Sequence, residues 1–374
     1  MESFTQSKLE DELEEVSLPA DLVEEVLSES DQCINFVDEM IEDSEEFREE
    51  VRSDLSDRIN TLDTGSNYNN VAGVDGSFDI VRSAGVNMAV CSAVSVSQDF
   101  KYAQEVFASP PSQDIQIVTQ GLMSMLELKV VTDNNAGLTI LDGSFISTLV
   151  NLNQMVSRHA RRGSESVWSS AESIIQRLFL DNSFFSEVLN NETVIASPKN
   201  ATSSEFLEDG GEEYKNYAKS FNDGAFFTRI LNPGEYITYV SKESEANRQT
   251  NLGTEESRFD PPDSENIVDF FQNKGFRVVY FKPYTWSKAY KLEIPNRLDL
   301  EGKTEKILNS FKKQVIDPSI IEPYPQWLAD SMSKKITEVT EALKGKVQSK
   351  LQDQGHNVNT INSILRGYRT SGGF

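Results

Sequence analysis

Short apolar runs alternate with longer amphipathic stretches along most of this chain, and their spacing predicts its elements. Val71 to Ser97 falls into three β-branched, glycine-punctuated runs, VAGVDGS, FDIVRSAG and VNMAVCSAVSVS, suited to a meander of strands. Gln116–Val130 carries Ile117, Leu122, Met125, Leu126 and Leu128 as the apolar positions of a helix, and a strand follows at Leu138–Leu141. Phe145–His159 and Ser166–Leu180 read as two helices separated by a basic turn, and Thr193–Ser197 reads as another strand. Ser203–Tyr217 is polar and reads as loop or short helix, while Phe226–Val240 gives mixed signals around Asn232-Pro233-Gly234. Phe276–Phe281 and Ala289–Ile294 form a predicted β-hairpin. A long helix is expected from Tyr324-Pro325 to near Lys350, because proline is favoured at a helix start. Strands clustered first and then alternating with helices fit the α/β class, a mixed sheet with helices on its faces.

The first 60 residues depart from that pattern. Leu22, Val23 and Val26, then Ile34, Phe36, Val37, Met40 and Ile41, recur at near-helical spacing in a strongly acidic background. This stretch holds 21 Asp/Glu against four Lys/Arg, whereas the rest of the 374-residue chain has 39 acids against 31 bases. From Glu301 onward the bases lead, eleven to eight. The formal net charge of −25 is therefore regional, and an acidic arm ahead of a nearly balanced body does not exclude a polyanionic partner. The arm reads as a solvated amphipathic surface or as a docking surface for a partner. The expected organisation is an acidic helical arm over residues 1–64, a folded body over 65–350 carrying a polar insertion at 241–266, and a tail over 351–374. No apolar stretch is long enough for a membrane helix. The acidic N-terminus is unlike a signal peptide, and Cys33 and Cys91 are too few for a disulfide framework, so a soluble, cytoplasmic protein is expected.

One tetrapeptide carries most of the chemistry. Asp75-Gly76-Ser77-Phe78 follows the apolar run Val71–Val74, and Asp142-Gly143-Ser144-Phe145 follows Leu138–Leu141. An Asp-Gly pair alone is often only a turn that ends a strand. Two copies in one context point instead to a pair of carboxylates at the C-terminal ends of neighbouring core strands, where open α/β sheets bind ligands. Like charges that close need a cation between them, and hard oxygen donors favour Mg²⁺ or Mn²⁺. Glu127, flanked by Leu126 and Leu128, sits where an unpaired carboxylate is costly, although taken alone it is also an ordinary helix-surface acid. With Asp75 and Asp142 it completes an acid triad suited to two-metal hydrolysis of a phosphodiester. Lys199, just beyond the Thr193–Ser197 strand, reads as a phosphate contact or as a solvated loop cation. The chain has no Walker-type glycine-rich loop, so any use of ATP belongs to a partner. Arg366-Gly367-Tyr368-Arg369 pairs cations with an aromatic and reads as a DNA or partner contact, or as a loose end.

Several of these segments resemble the NurA nucleases. The resemblance lies in Asn70–Ser77, Leu126-Glu127, Thr139–Ser144, Val194–Lys199, Asn222-Asp223, Leu231–Glu235, Lys291–Pro295 and Tyr324-Pro325 with Leu328, in that order over residues 70 to 345. It implies an RNase H-like core with a Mn²⁺- or Mg²⁺-dependent site, a homodimer enclosing a DNA channel, and partnership with a HerA-type hexameric ATPase in DNA end resection. Asp75, Glu127 and Asp142 would then be metal ligands, and Tyr324 would line the site. The chain departs from the family pattern in one place. A His is expected eight residues after the Tyr, and Met332 stands there; Asp330, on the same helix, is the substitute oxygen ligand, or else simply an ion-pair partner of Lys334. Met332 favours a rival reading, a catalytically weakened or silent assembly subunit. An RNA-directed hydrolase is a third.

Overall fold

The structure, a computed structural model, describes residue 34, residues 48–240 apart from 163–165, 200–203, 211, 216 and 218–220, residue 270, and 275–366 apart from 297 and 299–301. The 241–266 insertion, nearly all of the 1–47 stretch and the tail beyond Arg366 lie outside the described residues. Two units divide the chain, Met1–Asp57 and Arg58–Phe374. Within the first, residues 48–54 are helical.

The second unit runs β1 (Ile59–Thr61), β2 (Val71–Arg82), β3 (Asn87–Val96), β4 (Phe100–Ser109), α1 (Ile115–Thr132), β5 (Leu138–Asp142), α2 (Phe145–Arg162) and α3 (Ser166–Ile175), with a π-helical turn at Gln176–Leu180. It continues through α4 (Phe184–Asn190), β6 (Val194–Ser197), the short α5 (Glu205–Asp209) and α6 (Glu212–Lys215), α7 (Asp223–Ile230), β7 (Glu235–Val240), β8 (Phe276–Phe281) and β9 (Tyr290–Pro295). Four helices close it: α8 (Thr304–Gln314), α9 (Tyr324–Thr337), α10 (Thr340–Asp353) and α11 (Val358–Leu365).

Nine strands join in one sheet of order β1-β7-β8-β9-β6-β5-β2-β3-β4. β2, β5 and β6 are parallel at its centre, and the remaining pairs are antiparallel. This is the mixed α/β class that the hydrophobic pattern predicts. The central strands are apolar on both faces, as strands covered by helices on both sides must be. On one face Val71, Leu138, Ile140, Ile195, Leu292 and Ile294 pack under Ile307, Leu308 and Phe311 of α8. Beside them α9 lays Ala329, Leu328, Met332 and Ile336 on Val94 and Val96. On the opposite face α1 covers β3, with the Cys91 thiol donating to the Thr119 carbonyl. Ile361 and Leu365 of α11 pack against Val81 and Met88 at the outer end of the β2–β3 hairpin.

The elements differ from the sequence expectation in several places. VAGVDGS and FDIVRSAG are not two strands but one, because β3 goes on pairing with β2 as far as Arg82↔Asn87, after β5 has ended at Asp142. β4 was not anticipated; its Phe100, Tyr102 and Val106 are exposed and alternate with polar residues, so no buried run announces it. Helices α4 and α8 are likewise additional to the prediction. The expected helix from Tyr324 to near Lys350 is two helices, α9 and α10, broken at Glu338–Val339 within Thr337-Glu338-Val339-Thr340. β-branched Val339 and Thr340 favour helix less than unbranched residues do, which weakens the helix locally.

Candidate metal centre

Strand register builds the first half of the site. Val74 pairs with Leu141 in the parallel β2–β5 ladder, so the next residues, Asp75 and Asp142, stand side by side on one face. The two copies of the tetrapeptide then diverge. Gly143 takes φ +99° and turns the chain into α2, held there by the buried Glu293 carboxylate, which accepts from Ser144 Oγ and from the Phe145 amide at 2.9 Å each. Gly76 stays within β2, and its role is space: a Cβ there would lie 2.6 Å from Glu127 Oε1 and 2.8 Å from Met123 Cγ. The missing side chain is what lets a carboxylate from α1 approach Asp75. A second glycine sets the helix on the other face. At Gly73 a Cβ would lie 2.2 Å from the Gln326 amide nitrogen, so the start of α9 rests directly on β2.

Lys199, two residues past β6, brings its ammonium to the centre. It lies 2.7 Å from Asp142 Oδ2, 2.9 Å from Asp330 Oδ1, 3.1 Å from Asp75 Oδ2 and 3.3 Å from Glu322 Oε2. An ammonium has three protons and four carboxylates face it. Glu322 Oε2 is the one left over: it is buried, inside ion-pair range, and has no hydrogen-bond donor. Asp330 also accepts from Lys334 at 2.8 Å, the i,i+4 ion pair that the sequence offers as one reading of it. Lys288 lies behind the cluster and donates to the Lys199 carbonyl at 2.9 Å.

Five acids against the one central ammonium leave an excess of negative charge. Burial first, and then the Asp142 charge, pushes the Glu127 carboxyl up to about 8. Burial and the Asp142 charge likewise hold the Asp75 carboxyl far above the usual range. Burial also raises Asp330, but hydrogen bonds with Asp75, Lys334 and Lys199 outweigh it and bring that carboxyl below its ordinary value. Burial alone would weaken the Lys199 ammonium, yet the Asp75 and Asp142 charges overcome that and push its pKa upward. Burial lowers Lys288, with Glu322 and Asp142 opposing.

The donor set fits a hard divalent cation: all five acids offer oxygen, three are held above their normal pKa by burial and then by neighbouring acids, and one buried oxygen has no donor. Among the described residues no trio of acids, imidazoles or thiolates is arranged as a ready-made metal cage. The convergence is on the Lys199 ammonium, which stands where the positive charge is needed.

Five of the residues singled out in the sequence come together here. Asp75, Asp142, Glu127, Lys199 and Asp330 form the cluster itself, and Tyr324, exposed, begins α9 beside it. Met332 does not face the acids; it packs against Val94 and Val96 on the sheet. Glu322 and Lys288 were missed. Glu322 sits in the irregular Ile321-Glu322-Pro323 approach to α9, and its only signal was proximity to Tyr324-Pro325.

The model of the NurA domain matches residues 69–331, a span that contains all of these side chains. The chain belongs to the NurA domain family. Solved NurA structures share its fold. The NurA nuclease from Sulfolobus solfataricus superposes with a TM-score of 0.58 at 13% identity, over 89% of this chain and 97% of that one. A NurA structure bound to dAMP and manganese gives 0.53 at 12% identity, over 89% and 98%. A third, with manganese, gives 0.50 at 12% over 85% and 98%. At such identities the likeness is one of fold. No curated protein matches the chain in sequence. No helix among the described residues is long and apolar enough to cross a membrane.

Proposed function

We propose that this NurA-domain protein is a Mn²⁺- or Mg²⁺-dependent deoxyribonuclease that works as a homodimer with a HerA-type hexameric ATPase in DNA end resection, as a 5′–3′ exonuclease, a single-strand endonuclease or both. The observation that carries this reading is the convergence of Asp75, Asp142, Glu322 and Asp330 on one cation, with Glu127 alongside, where β5 ends beside the middle of β2. Family membership supports it, as does a shared fold with the Sulfolobus solfataricus NurA nuclease and with a NurA bound to dAMP and manganese. The order β4-β3-β2-β5-β6, antiparallel only at β3, supports reading the core as RNase H-like.

Asp75, Asp142 and Glu127, with Asp330, would hold the metal, which supplies Lewis acidity and an activated water for two-metal hydrolysis of a phosphodiester. Lys199 then has a different task. Released from the carboxylates, its long side chain is free to meet the non-bridging oxygens of a phosphate as a mobile point charge. Tyr324, at the rim, orients the nucleotide. The alternative is a silent NurA-like subunit that binds DNA and the ATPase, favoured by Met332 standing where the family pattern has a His.

Cleavage of labelled single- and double-stranded DNA with Mn²⁺ separates the two. Asp75→Asn and Asp142→Asn are each expected to abolish cleavage without lowering thermal stability, since removing one anion from a crowded acid site relieves repulsion. Near-wild-type cleavage by either variant would sink the assignment of that residue, and a wild-type protein that cuts nothing would favour the silent subunit.

A further inference from the structure

We propose that Trp327, backed by Tyr324, is a stacking platform for an unpaired nucleobase beside the scissile phosphate, and that it gives the site a preference for single-stranded DNA. The proposal deepens the nuclease reading and rests on it. The two rings stack with centroids 5.7 Å apart and planes at 27°, yet Tyr324 and Trp327 keep 38% and 37% of their surface in solvent. The rest of α9 behaves differently: Leu328, Ala329, Met332 and Ile336 turn inward onto Val94 and Val96. An aromatic pair left facing water on an otherwise well-packed helix is apolar surface that a ligand can cover.

Its position names the ligand. Tyr324, Trp327 and Asp330 are spaced by three on α9, so they lie along one face of the helix, each the neighbour of the next. Asp330 is 2.9 Å from Lys199 Nζ, at the centre of the acid cluster. Trp327 is therefore one helical turn from the site where a phosphodiester would be cut, and Lys334 follows one turn beyond Asp330 on the same side. The line along the helix reads aromatic, aromatic, acid, cation. A nucleotide offers the complement: a flat π-face joined by a short sugar link to a phosphate. Any base can stack, so the platform tolerates sequence. In a duplex the base faces are already covered by their neighbours, so only a single strand or a frayed end can use it.

The test uses the full chain carrying Asp142→Asn, so that DNA is not consumed, with binding measured by fluorescence anisotropy at fixed Mn²⁺ and salt. The probes are a labelled oligothymidine and a blunt duplex of equal length. Trp327→Ala is expected to weaken single-strand binding about tenfold or more, the scale of one lost base–aromatic stack, with duplex binding unchanged. Trp327→Phe should keep most of the affinity, which a role in folding alone would not explain. Unchanged single-strand binding by Trp327→Ala, or equal loss on both probes, overturns the platform. A change in oligomeric state by light scattering, without a selective loss on single strands, also overturns it and marks the patch as a protein contact. Duplex cleavage by the protein with Asp142 intact, run in parallel, separates the failures. If that cleavage persists while Trp327 proves indifferent, only the platform falls; if no DNA is cut or bound, the nuclease reading falls and the platform with it.

Discussion

Glu127 shows how much one side chain reports about its surroundings. Its carboxyl is pushed from 4.5 up to about 8, first by burial and then by the charge of Asp142. Between those values the folded protein holds a proton that the unfolded chain has already released, so stability without metal falls as pH rises across the window. Asp75 is shifted in the same direction and adds to the effect; Asp330 is shifted the other way and acts only at lower pH. The melting temperature of the metal-free protein is therefore expected to drop between about pH 5 and about pH 8. Added Mn²⁺ should raise it more at the upper end, because more carboxylates are charged there. A flat profile, or a manganese effect larger at about pH 5, would contradict the buried acid cluster. Asp75, Asp142 and Glu127 were legible in the sequence because an acid next to an apolar run is costly and the tetrapeptide repeats. The placement of Lys199 was not. A lysine read singly looks like a phosphate ligand, and nothing local reveals that carboxylates at positions 75, 142, 322 and 330 close around it.

Elements decide which residues of α9 act. Two steps along a helix turn a side chain by about 200°, so Asp330 and Met332 cannot both face the acids. The contact of Gln326 with Gly73 fixes the helix with Asp330 on the site side and Met332 on β3. Asp330→Ala is thus expected to remove most metal-dependent cleavage, while Met332→His adds little activity and costs about 1–3 kcal/mol by placing an imidazole among Val94, Val96 and Ala329. Strong activation by Met332→His, with a neutral Asp330→Ala, would reverse that assignment; cleavage rates and thermal melts of both variants decide it. Helix α1 and strands β5 and β6 were readable from their apolar positions. β4 was not, because its alternating apolar residues Phe100, Tyr102 and Val106 face solvent, so no buried run marks it. β2 was cut in two by reading Gly76 as a stop, where its real function is to leave room for Glu127.

Across the whole molecule, the boundary between units, at Asp57 and Arg58, falls a few residues before the acidic stretch ends and before the polar stretch Thr64–Asn70. β1 lies between them and pairs with β7, and Asn309 reaches the Asp63 carbonyl, so residues from Arg58 onward belong to the sheet-bearing unit. A chain beginning at Arg58 is expected to melt like the full protein and, having shed 21 acids, to bind DNA at least as tightly at low salt. The gain should fade as salt screens charge beyond about 10 Å at 0.1 M. A chain beginning at Gly65 should instead be less stable, and equal melting temperatures for the two truncations would show β1 to be ornamental. The order of the sheet also sets a clock. β2, β3 and β4 are linked by turns of a few residues, whereas β6 meets β9 across nearly a hundred residues through the single pair Ala196↔Glu293. Closing long loops costs chain entropy before any contact repays it, so the meander forms early and the two halves of the sheet join late. What forms after the rate-limiting step is what governs escape from the folded state. The seam at Ala196 and Glu293, backed by Ile195, Leu292 and Ile294, is therefore the contact expected to govern how long a folded molecule lasts.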